Sequence, residues 1–199
     1  MEGILGRDRA MIYALAAGTG FRKGEIGSLT LRSFDLESEP CTVTVQAAFS
    51  KRRRKDVQVM HPKLVERLKA WLSQKGEIEP KEILFPISHK TCGKYRKTHV
   101  MMQKDIEVAR KAWLNESKDD DERAKRESSD FFLYQDHDAR FADFHALRHT
   151  FITSLAKADV SPKTAQMLAR HSDISLTMNV YSHVDQEEQA AAIGRLPGV

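Results

Sequence analysis

His145-Ala146-Leu147-Arg148-His149-Thr150-Phe151-Ile152-Thr153-Ser154-Leu155 is the stretch from which the fold is read. Leu147, Phe151 and Leu155 recur at helical spacing, as residues facing a core do. At about 3.6 residues per turn, His145 and Arg148 lie about 60° apart around that helix and one turn along it, so both can address a single anion. His145 and His149 also have the i, i+4 spacing of zinc-protease helices. Ala146, however, stands where such a site keeps its catalytic Glu, so no metal is expected. The helix should run to about Ala158.

On the C-terminal side, Ser161-Pro162 forms a helix start, with Ser as N-cap and Pro in the first turn, leading to Arg170. His171-Ser172-Asp173-Ile174 follows, then a short helix carrying Leu176 to Tyr181, and a last one is expected from Gln186 to Ile193. On the N-terminal side, residues 7–17 read as a helix with Met11, Ile12 and Leu15 on one face, ended by Gly18-Thr19-Gly20. A short helix from about Arg22 to Leu29 comes next. Arg22, at its start, lies three residues before Glu25, whose carboxylate can hold it while the guanidinium faces an oxyanion.

Between these ends the hydrophobic period changes. Thr42-Val43-Thr44-Val45 and Val57-Gln58-Val59 are short and β-branched, which predicts a hairpin. Its tip is Lys51-Arg52-Arg53-Arg54-Lys55, the densest charge in the chain. Pro62 opens a helix with Leu64, Leu68, Trp71 and Leu72 on its buried face, and another is expected from about Tyr95 to Leu114. Residues 115–129 lack aliphatic side chains other than Ala124 and read as an exposed insertion. Phe131-Phe132-Leu133-Tyr134 and Arg140-Phe141 are expected to pair as a second small hairpin. The class is therefore mainly α with a small antiparallel β-sheet.

The chain has 199 residues, 32 Lys plus Arg against 28 Asp plus Glu, and a net charge of +4. That length suits one domain with a real core, and the clustered cations suit a polyanion. Two cysteines, Cys41 and Cys92, have no metal-like spacing and imply a reducing compartment. No secretory signal pattern appears, and no apolar run approaches the roughly 20 residues needed to span a bilayer. A cytoplasmic, nucleoid-associated protein with no membrane partner is expected.

Three segments in order, the glycine-turn Arg box, the His-x-x-Arg box, and the His and Tyr near the end, resemble the tyrosine recombinase (phage integrase) family. The resemblance runs from about residue 7 to 184. It implies one catalytic domain over residues 1–199, with the insertion at 115–129, a tail over 184–199, and the family's N-terminal DNA-binding domain absent from this chain. It implies that Arg22 and Arg148 clamp a phosphate, that Glu25 supports Arg22, and that His145 and His171 donate to the same group. Tyr181 resembles the nucleophile. Lys51 resembles the hairpin lysine that protonates the leaving group, with Lys55 the other lysine of the run, and Arg52, Arg53, Arg54 and Lys55 are expected to contact DNA.

The implied activity is site-specific recombination, as integration, excision or resolution, by cleavage and rejoining of duplex DNA through a 3′-phosphotyrosyl bond. No cofactor or metal is required, and the protein would act with copies of itself, as a tetramer at synapsis. The tail is expected to dock on a neighbouring copy. A type IB topoisomerase-like activity and a non-catalytic DNA-binding remnant are the alternatives. Two departures from the family pattern stand out: Arg170 where Gly commonly precedes the second histidine, and ten positions from His171 to Tyr181 where nine is usual.

Overall fold

The computed structural model describes residues 4–51, 53–88, 90–91, 94–95, 97–181 and 193–194. Arg52 and nearly all of the tail, including the helix expected from Gln186, lie outside the described residues; Ile193 and Gly194 are helical. Helix α1 (Gly6–Thr19) is followed by α2 (Lys23–Ile26), and a three-stranded antiparallel sheet by β1 (Phe34–Asp35), β2 (Thr42–Val45) and β3 (Asp56–Val59). Then come α3 (Pro62–Ser73), a two-stranded ribbon of β4 (Lys90–Thr91) and β5 (Lys94–Tyr95), α4 (Thr98–Asn115), α5 (Asp120–Glu127), α6 (Ala146–Lys157), α7 (Pro162–Ala169) and α8 (Ser175–Tyr181). Among the described residues no helix is long and apolar enough to cross a membrane.

Helix α1 is the central element because its apolar side reaches two partners, α3 and α6. Met11, Ile12 and Leu15 are buried in a core with Leu64, Leu68 and Trp71 of α3, Val43 and Val45 of β2, and Phe85 and Ile87. Leu68 is fully buried, a contribution of about 1.5–3 kcal/mol. Polar ties fix the outer side of α1. Arg9 grips both oxygens of Asp105 in α4 at 2.7 and 2.8 Å, Tyr13 donates to Asp105 at 2.7 Å, and Asp8 accepts from Trp71 Nε1 at 3.0 Å and Lys75 at 2.8 Å. A second cluster, Phe151, Ile152 and Ala169 with Leu155, Leu168 and Val180, joins α6, α7 and α8.

Gly20 makes the turn that places α2. Its φ is 62°, its N–H caps α1 on the Ala16 carbonyl at 2.9 Å, and a Cβ there would sit 2.5 Å from the Phe151 ring. Only glycine meets both demands.

The expected β2–β3 hairpin is present, with Thr42 opposite Val59 and Val45 opposite Asp56, and the cationic run lies between its strands. Two expectations need correction. The second hairpin is reduced to an isolated bridge, Gln135 to Phe141, because Asp136 turns the chain by accepting from the N–H groups of Asp138 and Arg140. Tyr95 belongs to β5 and not to the following helix, which starts at Thr98. The insertion is exposed as expected but contains α5: Asp119 caps it by accepting from Glu122 N–H at 2.7 Å, and its first turn is acidic and its last basic, both favourable to the helix dipole.

Candidate active site: an arginine pair and His145 around one cavity

Arg22 is the N-cap of α2, and the geometry is a closed box. Its own N–H donates to Glu25 Oε2 at 2.8 Å and its Nη1 to Glu25 Oε1 at 3.0 Å. Glu25 is buried and Arg22 is partly exposed. The carboxylate thus holds the guanidinium from behind.

Arg148 rises from the first turn of α6 and is 2% exposed. Its Nη1 donates to the Gly20 carbonyl and its Nη2 to the Ala169 carbonyl, which fixes the fork between the glycine turn and the end of α7. Burial, then the charges of Arg22 and Arg170, push its pKa down to about 10, so it stays charged at neutral pH. Arg22, Arg148 and His145 line a cavity of about 250 Å³ together with Phe21, Lys23, Thr98, His99, Asp143 and Phe144. Two guanidinium groups and imidazole face one small, open space, and a single acidic group, Asp143, shares it.

His145 precedes α6 and meets His149 edge to face, with ring centroids 5.2 Å apart. Burial lowers its pKa, helped by His149 and Arg148 and opposed by Asp143. His171 follows α7, and its Nδ1 lies 3.0 Å from Thr177 Oγ1 in α8. Burial, followed by the charges of Arg148 and Arg22, pushes His171 down to about 4. Both histidines are therefore neutral at pH 7 and feel the arginine pair. An anion bound there would relieve the like-charge penalty. Among the described residues, no group of three or more His, Cys, Asp or Glu has a metal-binding arrangement.

Three expected site residues stand outside the cavity: His171 lines a separate depression with Lys163, Gln166, Met167 and Ser172, and the other two are Lys51 and Tyr181. Lys51 is exposed at the hairpin tip, with Arg53, Arg54 and Lys55 exposed beside it. Arg53 takes φ 52°, and Ser50 donates to Asp56 at 2.8 Å across the base of the tip. Tyr181, the last residue of α8, donates its hydroxyl to the Val160 carbonyl at 2.8 Å, and burial raises its pKa. It is a phenol, not a phenolate, in this state.

Sequence reasoning missed several residues around the site. Lys23, Thr98 and His99 line the cavity, and burial lowers the Lys23 pKa. Their place depends on α4 starting beside α2, which no local pattern announces. Arg170 and Gln58 are buried next to Glu25. The signal for Arg170 was its replacement of a glycine; nothing pointed to Gln58 except its inward place in β3.

The fold is mainly helical with a small antiparallel sheet, and the cluster places two arginines beside imidazole around one cavity, an arrangement suited to an oxyanion. Residues 4–188 match the profile of the phage integrase family, and the chain belongs to that family. Over 56 residues it is 41% identical to a tyrosine recombinase XerC-like protein of Caldanaerobacter subterraneus subsp. tengcongensis, covering 28% of this chain and 14% of that protein. Over 52 residues it is 40% identical to the transposase from transposon Tn916 of Enterococcus faecalis, covering 26% of this chain and 13% of that one. Among solved structures, the Tn1549 transposon integrase in complex with circular intermediate DNA aligns with 98% of this chain and 62% of its own, at a TM-score of 0.61 and 20% identity. XerA recombinase aligns with 96% of this chain and 58% of its own, at 0.57 and 18%. The recombinase catalytic-domain fold expected from the sequence is the one observed.

Proposed function

We propose that residues 1–199 form the catalytic domain of a site-specific tyrosine recombinase, which cuts and rejoins duplex DNA through a 3′-phosphotyrosyl bond at Tyr181. The observation that carries this reading is the pair Arg22 and Arg148 lining one cavity with His145, each arginine fixed from behind by Glu25 or by main-chain carbonyls. A phosphodiester under attack gathers charge on its non-bridging oxygens, and preorganised donors aimed at that charge are the largest catalytic contribution. Arg22 and Arg148 supply it as forks, and His145 and His171 as imidazole N–H donors.

Tyr181 leaves the Val160 carbonyl, gives its proton to solvent water and attacks phosphorus; the P–O bond to the 5′ oxygen breaks, and Lys51 protonates that oxygen. The phosphotyrosyl bond keeps the energy of the broken linkage, so a 5′ hydroxyl from another strand can reverse the step without ATP. Arg53, Arg54 and Lys55, with Arg52, are proposed to hold the DNA backbone near the cleaved site. The Tn1549 integrase relatives were solved on transposon DNA and XerH on its difH substrate, in agreement with a duplex DNA partner for this chain. The working form is proposed to be a DNA-bound tetramer, with the tail docking between copies.

The test is incubation with nicked duplexes in which cleavage releases a short fragment and traps the intermediate. A denaturation-resistant adduct, followed by transfer to a second duplex, is expected. An adduct that relaxes supercoiled plasmid but never joins a second duplex would favour the topoisomerase alternative instead.

A further inference from the structure

Arg170 is one residue before His171 at the end of α7, in left-handed backbone with φ 53° and ψ 42°. A side chain is strained there and glycine is not. Arg170 is also 4% exposed, and its Nε has no hydrogen-bond partner among the described residues. An arginine that carries both strain and desolvation of charge at a turn suited to glycine needs a reason beyond the turn.

Its contacts supply one. Nη2 donates to Glu25 Oε2 at 3.1 Å and to the Gly20 carbonyl at 3.2 Å. Nη1 donates to Gln58 Oε1, and the guanidinium carbon lies 4.4 Å from the centroid of the Phe21 ring. Gln58 in β3 in turn donates to the Thr19 carbonyl at 3.0 Å. Glu25 is therefore held from two sides: Oε1 by Arg22 Nη1, and Oε2 by Arg22 N–H and Arg170 Nη2. These bonds fix the plane of the carboxylate, and the carboxylate fixes the Arg22 fork. Arg170 itself is not among the residues lining the cavity.

We infer that Arg170 is a positioning residue for the phosphate clamp, aligning Arg22 through Glu25 and, through Gln58, the hairpin whose tip carries Lys51. The inference rests on the recombinase reading. It assigns to Arg170 a role that a helix cap lacks: three parts of the site distant in sequence, the Arg box, the hairpin base and the loop of His171, meet on one guanidinium.

The test compares wild type, R170G, E25Q, R170G/E25Q and Q58M in single-turnover cleavage of nicked duplexes at saturating protein, with DNA Kd and thermal unfolding measured alongside. Glycine suits the φ of position 170, so R170G is expected to unfold cooperatively, to keep its DNA Kd, and to cleave roughly 10- to 100-fold more slowly. E25Q is expected to cleave more slowly as well, and the double variant no more slowly than the slower single one, because the two residues act in series. Q58M leaves the end of α7 intact and is expected to slow cleavage at unchanged Kd; it carries the test if R170G does not fold. Wild-type cleavage rates in folded R170G or in Q58M, or losses that multiply in the double variant, would overturn the assignment. Absence of any adduct from the wild-type protein would instead sink the recombinase reading, so the two failures are distinguishable.

Discussion

The hydroxyl of Tyr181 is hydrogen-bonded to the main-chain carbonyl of Val160 at 2.8 Å, in the loop between α6 and α7. The proposed nucleophile is thus held as a neutral phenol on its own domain, and catalysis has to release it. Tyr181→Phe removes one partly exposed hydrogen bond, so stability should fall by about 1 kcal/mol or less. DNA affinity should be unchanged and covalent adduct absent. Thermal unfolding, a binding titration and denaturing gels check the three parts; if the variant loses its fold, Tyr181 is a packing residue.

Arg148→Lys should be nearly as damaging as removal. An ammonium cannot bond the Gly20 and Ala169 carbonyls and a phosphate together in the planar geometry of a guanidinium. The single-turnover cleavage rate should drop on the order of 10²–10³-fold. A lysine variant that keeps most of the rate would show that Arg148 is a structural tie and not a clamp.

At the hairpin, chemistry and attraction should separate. Arg53 and Arg54 are exposed and should act through the DNA backbone: replacing both with Gln should weaken binding to all sequences and flatten the plot of log K against log salt by about 0.9 for each phosphate no longer neutralised. Lys51→Ala should leave affinity nearly intact and slow cleavage by about 10²–10⁴-fold. A substrate whose 5′ leaving atom is sulfur needs no proton and should restore the rate. Rescue of Lys55→Ala in place of Lys51→Ala would move the acid along the run.

The histidines make a pH prediction. His171 is held at about 4 by burial and the arginines, below its ordinary 6.5. Between those values the unfolded chain binds more protons than the folded one, so stability is full above pH 6.5 and declines as pH falls toward 4. Chemical denaturation across that window should show the slope, and His171→Gln should flatten it. A phosphate bound beside His145 and His171 raises both, so DNA binding should take up protons and tighten as pH drops from about 8 to 6. Affinity independent of pH over that range would place the phosphate away from these rings.

Much of the site was legible because its motifs are local. The Arg22–Glu25 box, the glycine turn and the His145–Arg148 spacing each fit within one helical turn, and the buried face of α3 repeats at helical period. What was not legible depends on distant chain or on very short elements. Strands of two residues, such as β1, β4 and β5, have no period to read. Helix α5 has no buried residue, so a search for apolar spacing passes over it, although Asp119 and Glu122 hold the capping signal. Arg170 looked like a departure from pattern because its partners Glu25 and Gln58 are 145 and 112 residues away.

The central claim is that Tyr181 becomes covalently joined to a 3′ phosphate. The most direct measurement is incubation of the protein with nicked duplexes of randomised core sequence, protease digestion of the trapped complex, and mass spectrometry of the peptide that carries the nucleotide. The account predicts one modified residue, Tyr181, linked through phosphate to a 3′ end, and no such peptide from Arg148→Ala. A nucleotide on any other residue, attachment through a 5′ phosphate, or no adduct from duplexes that the protein demonstrably binds would contradict it.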